Sequence, residues 1–355
     1  MTLLFLDGCD LHASHADLLR RWSSASSSTQ VDVSTTGGRF GGGAIRLRTI
    51  AGEETLSKNL APPYSATLVI GAAVMLEPES TTSTAGEDEI LQLLDSAAVV
   101  HLTLTWSSLD QLLRVYRGTQ AGTLLATSSQ ALPILAWAFL ELKATIADSG
   151  GLVELRLDGA PVLSFSGDAR NAGTAEIVTV RFSNHYVSTG NRHLLRLDDV
   201  HLCDTSGSRN NDFLGDVRVV TLRPDADTAQ GDFTPSSGSA HYALVAEAPD
   251  DDGDASYVES GTVGHKDLYG YQDLTATPAA IMAVQLATVA RKDDAGSRSL
   301  CAVLKSGATT ANGATRVLGT TYALYDDRFE VDPAAAAAGN KAGVDALQAG
   351  VEVVA

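Results

Sequence analysis

Gly151-Leu152-Val153-Glu154-Leu155-Arg156-Leu157-Asp158-Gly159, followed by Ala160-Pro161 and the apolar Val162-Leu163-Ser164-Phe165, decides the fold. Val153, Leu155 and Leu157 alternate with Glu154, Arg156 and Asp158. A period of two means a strand with one buried face. Asp158-Gly159 supplies turn chemistry, so the stretch is a β-hairpin. The same pattern repeats on both sides. Thr67–Val74, His101–Trp106, Leu112–Tyr116, Leu140–Ile146, Ile177–Phe182 and Leu194–Leu202 each predict a strand. Ser23–Thr29, the glycines around Arg39-Phe40 and the polar, acidic Glu79–Glu89 are expected to be loops. One helix is expected over Ala13–Trp22, capped by Ser14, with Ala16, Leu18 and Leu19 on its apolar face. Many short antiparallel strands with almost no helical period predict an all-β sandwich or jelly roll.

The 355 residues exceed the usual span of one domain. The polar stretch Ser206-Gly207-Ser208-Arg209-Asn210-Asn211 predicts a boundary between residues 1–205 and 206–355. Beyond it, strands are expected at Val217–Leu222, His241–Val245, Ile281–Ala290, Ser299–Leu304, Thr315–Leu318 and Tyr322–Phe329. A short helical turn is expected at Val344–Ala349, stopped by Gly350, and then a closing strand at Val351–Val354. The fold class is therefore all-β: a jelly roll followed by a smaller β-sandwich with a short C-terminal helix.

With 25 Lys+Arg against 43 Asp+Glu, the net charge is −18. That excludes a general nucleic-acid clamp, which needs clustered cations, and disfavours adhesion to anionic membranes. No apolar run reaches the ~20 residues of a membrane span. Met1–Asp10 lacks the basic region of a signal peptide, and its apolar run, Leu3–Leu6, is too short for one. The three cysteines, Cys9, Cys203 and Cys301, form no CxxC pair, which argues against a disulfide scaffold or zinc ribbon and fits synthesis in the cytoplasm.

The order Phe5-Leu6-Asp7-Gly8, Gly38-Arg39-Phe40-Gly41-Gly42-Gly43-Ala44-Ile45-Arg46-Leu47, a strand after Trp137, the Gly151–Gly159 hairpin and Leu197-Asp198-Asp199-Val200 resembles the concanavalin-like, laminin-G-like jelly roll of lectins, glucanases and virus structural proteins. Three further stretches resemble tailed-bacteriophage structural proteins: Cys203–Gly207 with Asn211–Val219, Ala290–Gly296, and Ala346–Val353. The resemblance implies a virion protein of tail or head, made in the host cytoplasm, that works through interfaces with other virion proteins and with copies of itself. It implies a homo-oligomer, with no cofactor, no nucleic-acid partner and no membrane insertion. In such a jelly roll the first and last strands lie side by side, so Cys9 and Cys203 could be neighbours, as free thiols.

Glucanases of this class carry Glu-x-Asp-x-x-Glu on one strand. The nearest acidic cluster, Glu87-Asp88-Glu89, reads as a solvated loop at the wrong spacing, so the expectation is a protein that is not an enzyme. Asp250-Asp251-Asp252-Gly253-Asp254 offers Asp250, Asp252 and Asp254 as weak calcium candidates, but the EF-hand positions of Gly and Glu are not met. Asp198-Asp199 reads as a strand end. His12 and His15 lack further ligands nearby, and no Gly-x-Ser-x-Gly elbow exists. The Arg39-Phe40 glycines fit a tight strand connection better than a phosphate loop. Catalytic, cofactor and metal residues are thus expected to be none. The rival function is a glycan-binding host-adhesion module, although aromatics are only 6% and Trp106 and Trp137 lie at strand positions. Assembly is expected to draw on the end segment Leu347–Val354 as a free strand or, alternatively, as part of its own sheet.

Overall fold

A computed structural model describes residues 2–48, 52–78, 86–186, 193–247 and 252–355. The chain divides into two compact units, Met1–Val219 and Val220–Ala355.

The first unit is a jelly roll of two antiparallel sheets. One sheet runs β13 (Ala160–Gly167), β12 (Gly151–Leu157), β11 (Ala138–Thr145), β6 (Thr67–Pro78), β15 (His193–Asp204), β4 (Ala44–Arg48) and β3 (Val31–Ser34), with β1 (Leu3–Asp7) also paired to β15. The other runs β10 (Thr123–Ala131), β9 (Leu112–Arg117), β8 (Val100–Ser107), β7 (Glu87–Leu94), β14 (Thr179–Tyr186), β5 (Glu53–Asn59) and β2 (Ser24–Ala25). The sequence hairpin is β12–β13, with Val153, Leu155 and Leu157 turned into the core and Leu152 exposed. Leu68, Ile70, Ala72, Val74 and Leu76 of β6 meet Ile90, Leu93, Leu102, Leu104, Trp106 and Phe182 of the opposite sheet in one core cluster.

The helix α1 (His15–Arg21) forms where expected, and the Ser14 hydroxyl accepts from the Asp17 amide. Its apolar face is narrower than the sequence suggests. Leu18 is buried, while Ala16 and Leu19 face solvent. Trp22, just past the helix, packs edge-on against Phe5 and Phe182. Its indole Nε1 donates to Asp7 Oδ2 at 2.8 Å. Asp7 also accepts from the Cys9 amide at 3.0 Å and bonds His12 Nε2 at 2.8 Å.

The expected boundary at residue 205 lies short of the observed division at Val219. Residues 212–219 run as a strap over the outer face of the eight-stranded sheet. Phe213 stacks under the Arg156 guanidinium at 3.8 Å. The Leu214 and Gly215 amides donate to Glu141 at 2.5 and 3.1 Å. Arg39 grips Asp216 with two bonds, 2.6 and 2.7 Å. Val217–Leu222 is therefore not the strand that its alternation suggests: the Val219 amide donates to the Asp199 carboxylate at 2.8 Å and not to a ladder. Beside the strap the His201 ring lies flat on Gly71, where a Cβ would come within 2.0 Å of Cε1.

The second unit holds a sheet in the order β16 (Pro224–Gly231), β19 (Lys266–Tyr271), β25 (Gln348–Val353), β21 (Ser299–Ser306) and β22 (Thr309–Asn312), with β23 (Arg316–Val317) also on β21. Two smaller ribbons pair β17 (Thr234–Pro235) with β18 (Val258–Glu259), and β20 (Val284–Ala290) with β24 (Ala323–Phe329). Expected strands at Ile281–Ala290, Ser299–Leu304 and Tyr322–Phe329 are present. His241–Val245 is instead a 3-10 turn at Tyr242–Leu244, because Asp227 accepts from the His241 and Tyr242 amides. The short C-terminal helix α2 (Lys341–Asp345) is capped by Asn340. Gly350 does not stop it, since Gly350 sits within β25. That strand pairs on both sides, with β19 and β21, so the end segment is an inner strand and not a free one.

Two outcomes follow from these contacts. Residues 1–219 expressed alone will melt cooperatively, while residues 1–205, stripped of the strap, will melt at least several degrees lower in a calorimeter; equal melting would contradict the strap's role. Asp7→Ala leaves the Trp22, Cys9 and His12 donors buried without their acceptor. It will cost roughly 3–5 kcal/mol in denaturant titration, and a loss under 1 kcal/mol would contradict it.

Candidate functional site

Two groups of carboxylates stand out in the first unit, and both are made by β-bulges. A bulge adds one residue to a strand and re-aims the side chains that follow.

On β7 the pairing with β8 slips between Glu89 and Leu91. Ile90 and Leu91 both enter the core, so the outward face runs Glu87, Glu89, Gln92. Asp88 points the other way, to His193 Nδ1 at 3.0 Å beside Trp106, and burial raises its pKa. The acidic run is thus a strand and not the solvated loop expected from sequence. Its spacing is Glu-x-Glu-x-x-Gln. Glu87 accepts from Tyr116 at 3.0 Å and from Thr105 at 2.9 Å, with Arg114 Nε at 3.5 Å. Arg114 is held in turn by Asp110 at 2.6 Å. Glu89 accepts from Gln92 Nε2 at 3.0 Å, and Arg181 donates to the Gln92 carbonyl oxygen at 3.2 Å. Glu89 is 4% exposed. Burial raises its pKa, against the lowering effect of His185 and Arg181, while Glu53 raises it further. Burial and Glu87 together push Tyr116 up to about 12, so its hydroxyl stays a donor. Gln92, Arg114, Tyr116 and Arg181 were not singled out from sequence. Arg114-x-Tyr116 carried the two-residue period that puts both on one face, but nothing local said which strand lay beside it.

On β15 the register slips between Asp198 and His201. Asp199 takes a left-handed φ of 51°. Asp198 accepts from the Arg39 and Asp199 amides at 2.8 and 2.7 Å. Asp199 takes the Val219 amide and lies 3.8 Å from Arg39. Burial and the neighbouring Asp199 charge push Asp198 up to about 7. Burial, against the Val219 amide and Arg39, leaves Asp199 at about 6. The glycine loop between β3 and β4 closes against this pair. Asp10 accepts from the Gly43 amide at 2.7 Å, and a Cβ on Gly43 would sit 2.2 Å from the Cys9 carbonyl oxygen. The loop is a strand connection, as its glycines imply.

The remaining candidates lie apart. Asp250 falls outside the described residues. Asp252 accepts from the Ser256 amide and hydroxyl. Asp254 binds Arg291 at 2.8 Å and Tyr322 at 2.9 Å, so Asp252 and Asp254 serve different partners. Among the described residues no cluster of three or more His, Cys, Asp or Glu is arranged to hold a metal ion. His12 bonds Asp7, whereas His15 bonds the Val31 carbonyl at 2.8 Å. β1 does lie beside β15, but Cys203 faces Leu3 while the Cys9 thiol reaches the Leu197 carbonyl. No disulfide joins the two thiols, which lie at opposite ends of β1.

No protein-family model matches the sequence, and no curated protein matches it. Solved structures similar to the chain include an alginate lyase in complex with an alginate trisaccharide, 10% identical over 57% of this chain and 97% of that one, TM-score 0.41. A GH131 β-glucanase catalytic domain from Podospora anserina is 15% identical over 59% and 97%, TM-score 0.37. A protein with a galectin-like fold from Bacillus subtilis is 12% identical over 57% and 96%, TM-score 0.35. The expectation that the chain is not an enzyme is corrected here. It rested on an acidic loop at the wrong spacing, and that loop is a strand.

The raised carboxylates fix a pH dependence. An Asp whose folded pKa lies above its unfolded ~3.9 adds stability that is full below that value and is lost as pH rises through the folded pKa. Asp198 and Asp199 therefore favour the fold at pH 5 over pH 8, with the loss running from about pH 4 to completion as pH passes the folded values of about 6 and about 7. Asp198→Asn will flatten this slope and stabilise the protein at pH 8 by about 1–3 kcal/mol. An unchanged slope in urea melts at pH 5 and 8 would contradict the assignment.

Proposed function

We propose that the chain is a structural component of a tailed-bacteriophage virion, on tail or head, assembling with copies of itself and with other virion proteins. The observation that carries this reading is the thin interior of the second unit. Among the described residues the first unit buries forty-eight hydrophobic side chains and the second only eleven. Val263 and Val317 of the second unit are 63% and 70% exposed. Its main sheet ends in β16 and β22, each paired on one side within the chain. β16 has no buried residue. Such a unit gains stability by covering apolar surface and sheet edges with a partner. The acidic net charge opposes self-association at long range, so contact surfaces of this kind must supply the attraction. The segments that resemble phage structural proteins support the same reading.

A second role on the same virion is favoured by the outer face of the seven-stranded sheet. Glu87, Glu89, Gln92, Arg114, Tyr116 and Arg181 place carboxylate, amide, guanidinium and phenol groups side by side, the chemistry that recognises sugar hydroxyls. The first unit is thus proposed to bind a glycan of the host surface.

Particles purified through a density gradient will carry the chain in a fixed, stoichiometric copy number. The isolated protein will sediment as a multiple of 37.0 kDa. A strictly monomeric protein that is absent from particles would overturn the virion reading.

A further inference from the structure

Resting on the reading that the chain assembles with copies of itself, we propose that edge strand β10 is the contact between two copies, β10 of one pairing antiparallel with β10 of the other about a twofold axis. β10 ends the seven-stranded sheet and, among the described residues, pairs with β9 alone. It is nine residues long, and Ser128 is its single buried residue. The edge at the other end of this sheet, β2, has two residues and templates little. β13 ends the eight-stranded sheet on the β10 side, where the Ser129 hydroxyl donates to the Val162 carbonyl at 3.2 Å. The two edges therefore make one side of the sandwich.

These edge strands carry no charge. No residue from Gly118 to Leu140 is charged, and none in β13, in a chain that is 19% charged with a net −18. An edge that meets only water is commonly guarded by lysine or another charge, which keeps further strands off. β10 has no such charge. Two copies of an acidic chain repel wherever their carboxylates approach, so they meet best where carboxylates are missing. An acidic partner would be met by lysine or arginine and a basic one by carboxylates, and β10 and β13 offer neither. What they fit is an uncharged edge, and β10 of a second copy is one. The twofold axis sets each β10 residue against an uncharged partner, so no like charges face each other across the pair.

The register of β10 on β9 slips between Leu124 and Ala126 and again between Thr127 and Ala131, which leaves Ala126–Thr127 as its regular middle. The bulges keep the shared ladder short and centre it there. Leu124, 48% exposed beside that middle, adds apolar area to the contact. An axis normal to the sheet keeps the polar faces of both copies on one side. Arg114 and Tyr116 stand on β9, the next strand in. The two β9 strands then lie three strand spacings apart, about 14 Å in all. Two such faces pointing the same way hold one host surface twice, which raises avidity without a new contact to the glycan.

Thr127 is exposed at that middle. The full-length protein and its Thr127→Lys and Thr127→Glu variants would be run in sedimentation equilibrium, singly and as an equimolar mixture, with a circular dichroism spectrum of each. Expected are a wild type with an even number of copies, each variant alone at half that mass with its spectrum unchanged, and a mixture restored to the wild-type mass, because lysine and glutamate then face each other across the axis. Variants that keep the wild-type mass overturn the β10 contact and leave the assembly reading standing. Half-mass variants that mixing fails to restore overturn the twofold pairing. A wild type that is monomeric in solution, with variants that lose their place in purified particles, overturns the second copy as occupant and gives β10 to another virion protein. A wild type that is monomeric and absent from particles overturns both readings.

Discussion

Asp7 ends the first strand with no solvent exposure and gathers the Trp22 indole, the His12 ring and the Cys9 amide around one carboxylate. Burial by itself would raise its pKa. The His12 ring, the Arg21 guanidinium and the Cys9 amide outweigh that and hold it far below the ordinary carboxylate range. The indole fixed in this way packs on Phe5 from one sheet and Phe182 from the other. A buried anion with several donors is stable only while every donor stays in place. Strand β1, helix α1 and the spacing of the two sheets are thus set together.

The two sheets use their outer faces differently. The eight-stranded sheet is closed off: the strap lies over Glu141 and Arg156, the Arg39 that grips it lies over the Phe139 ring, and the Asp198–Asp199 bulge pins its far end. This explains why β6 reads as a continuous apolar run. Its inward residues fill the core, while Val69, Gly71 and Ala73 lie on the covered side. The seven-stranded sheet carries no such strap among the described residues. There polar side chains satisfy one another across neighbouring strands, from Tyr116 through Glu87 to Thr105 and from Arg181 through Gln92 to Glu89. A ligand entering that face would exchange one set of hydrogen bonds for another, so its binding energy must come from geometry and charge and not from buried apolar area.

Legibility followed burial. β12 and β13 were plain in the sequence because one face is dry and the other wet. β15 was plain because its long run of leucines has no other use. β7 was hidden, since the extra residue at Ile90 breaks the period just where Glu87 and Glu89 establish it; the acidic candidates were named, but as loop residues. β16, Pro224–Gly231, has neither face buried, so no apolar period marks it. Val217–Leu222 shows the reverse case: a strand-like stretch in which the Val219 amide answers to the Asp199 carboxylate and not to a ladder. Ala16 and Leu19 had helical spacing without a partner to cover them. The inner place of β25 depends on β19 and β21, strands far away in sequence, and no local pattern encodes such pairing.

The central claim is that the bulged strand β7 gives its two outward glutamates unlike environments on a polar sheet face. A 13C NMR titration of the side-chain carboxyl carbons, assigned with Glu89→Gln, measures this directly. The account predicts that the Glu89 resonance titrates above the ordinary glutamate range and that Gln92→Ala displaces its midpoint. Titration of Glu89 at or below the ordinary value, unmoved by Gln92→Ala, would contradict it.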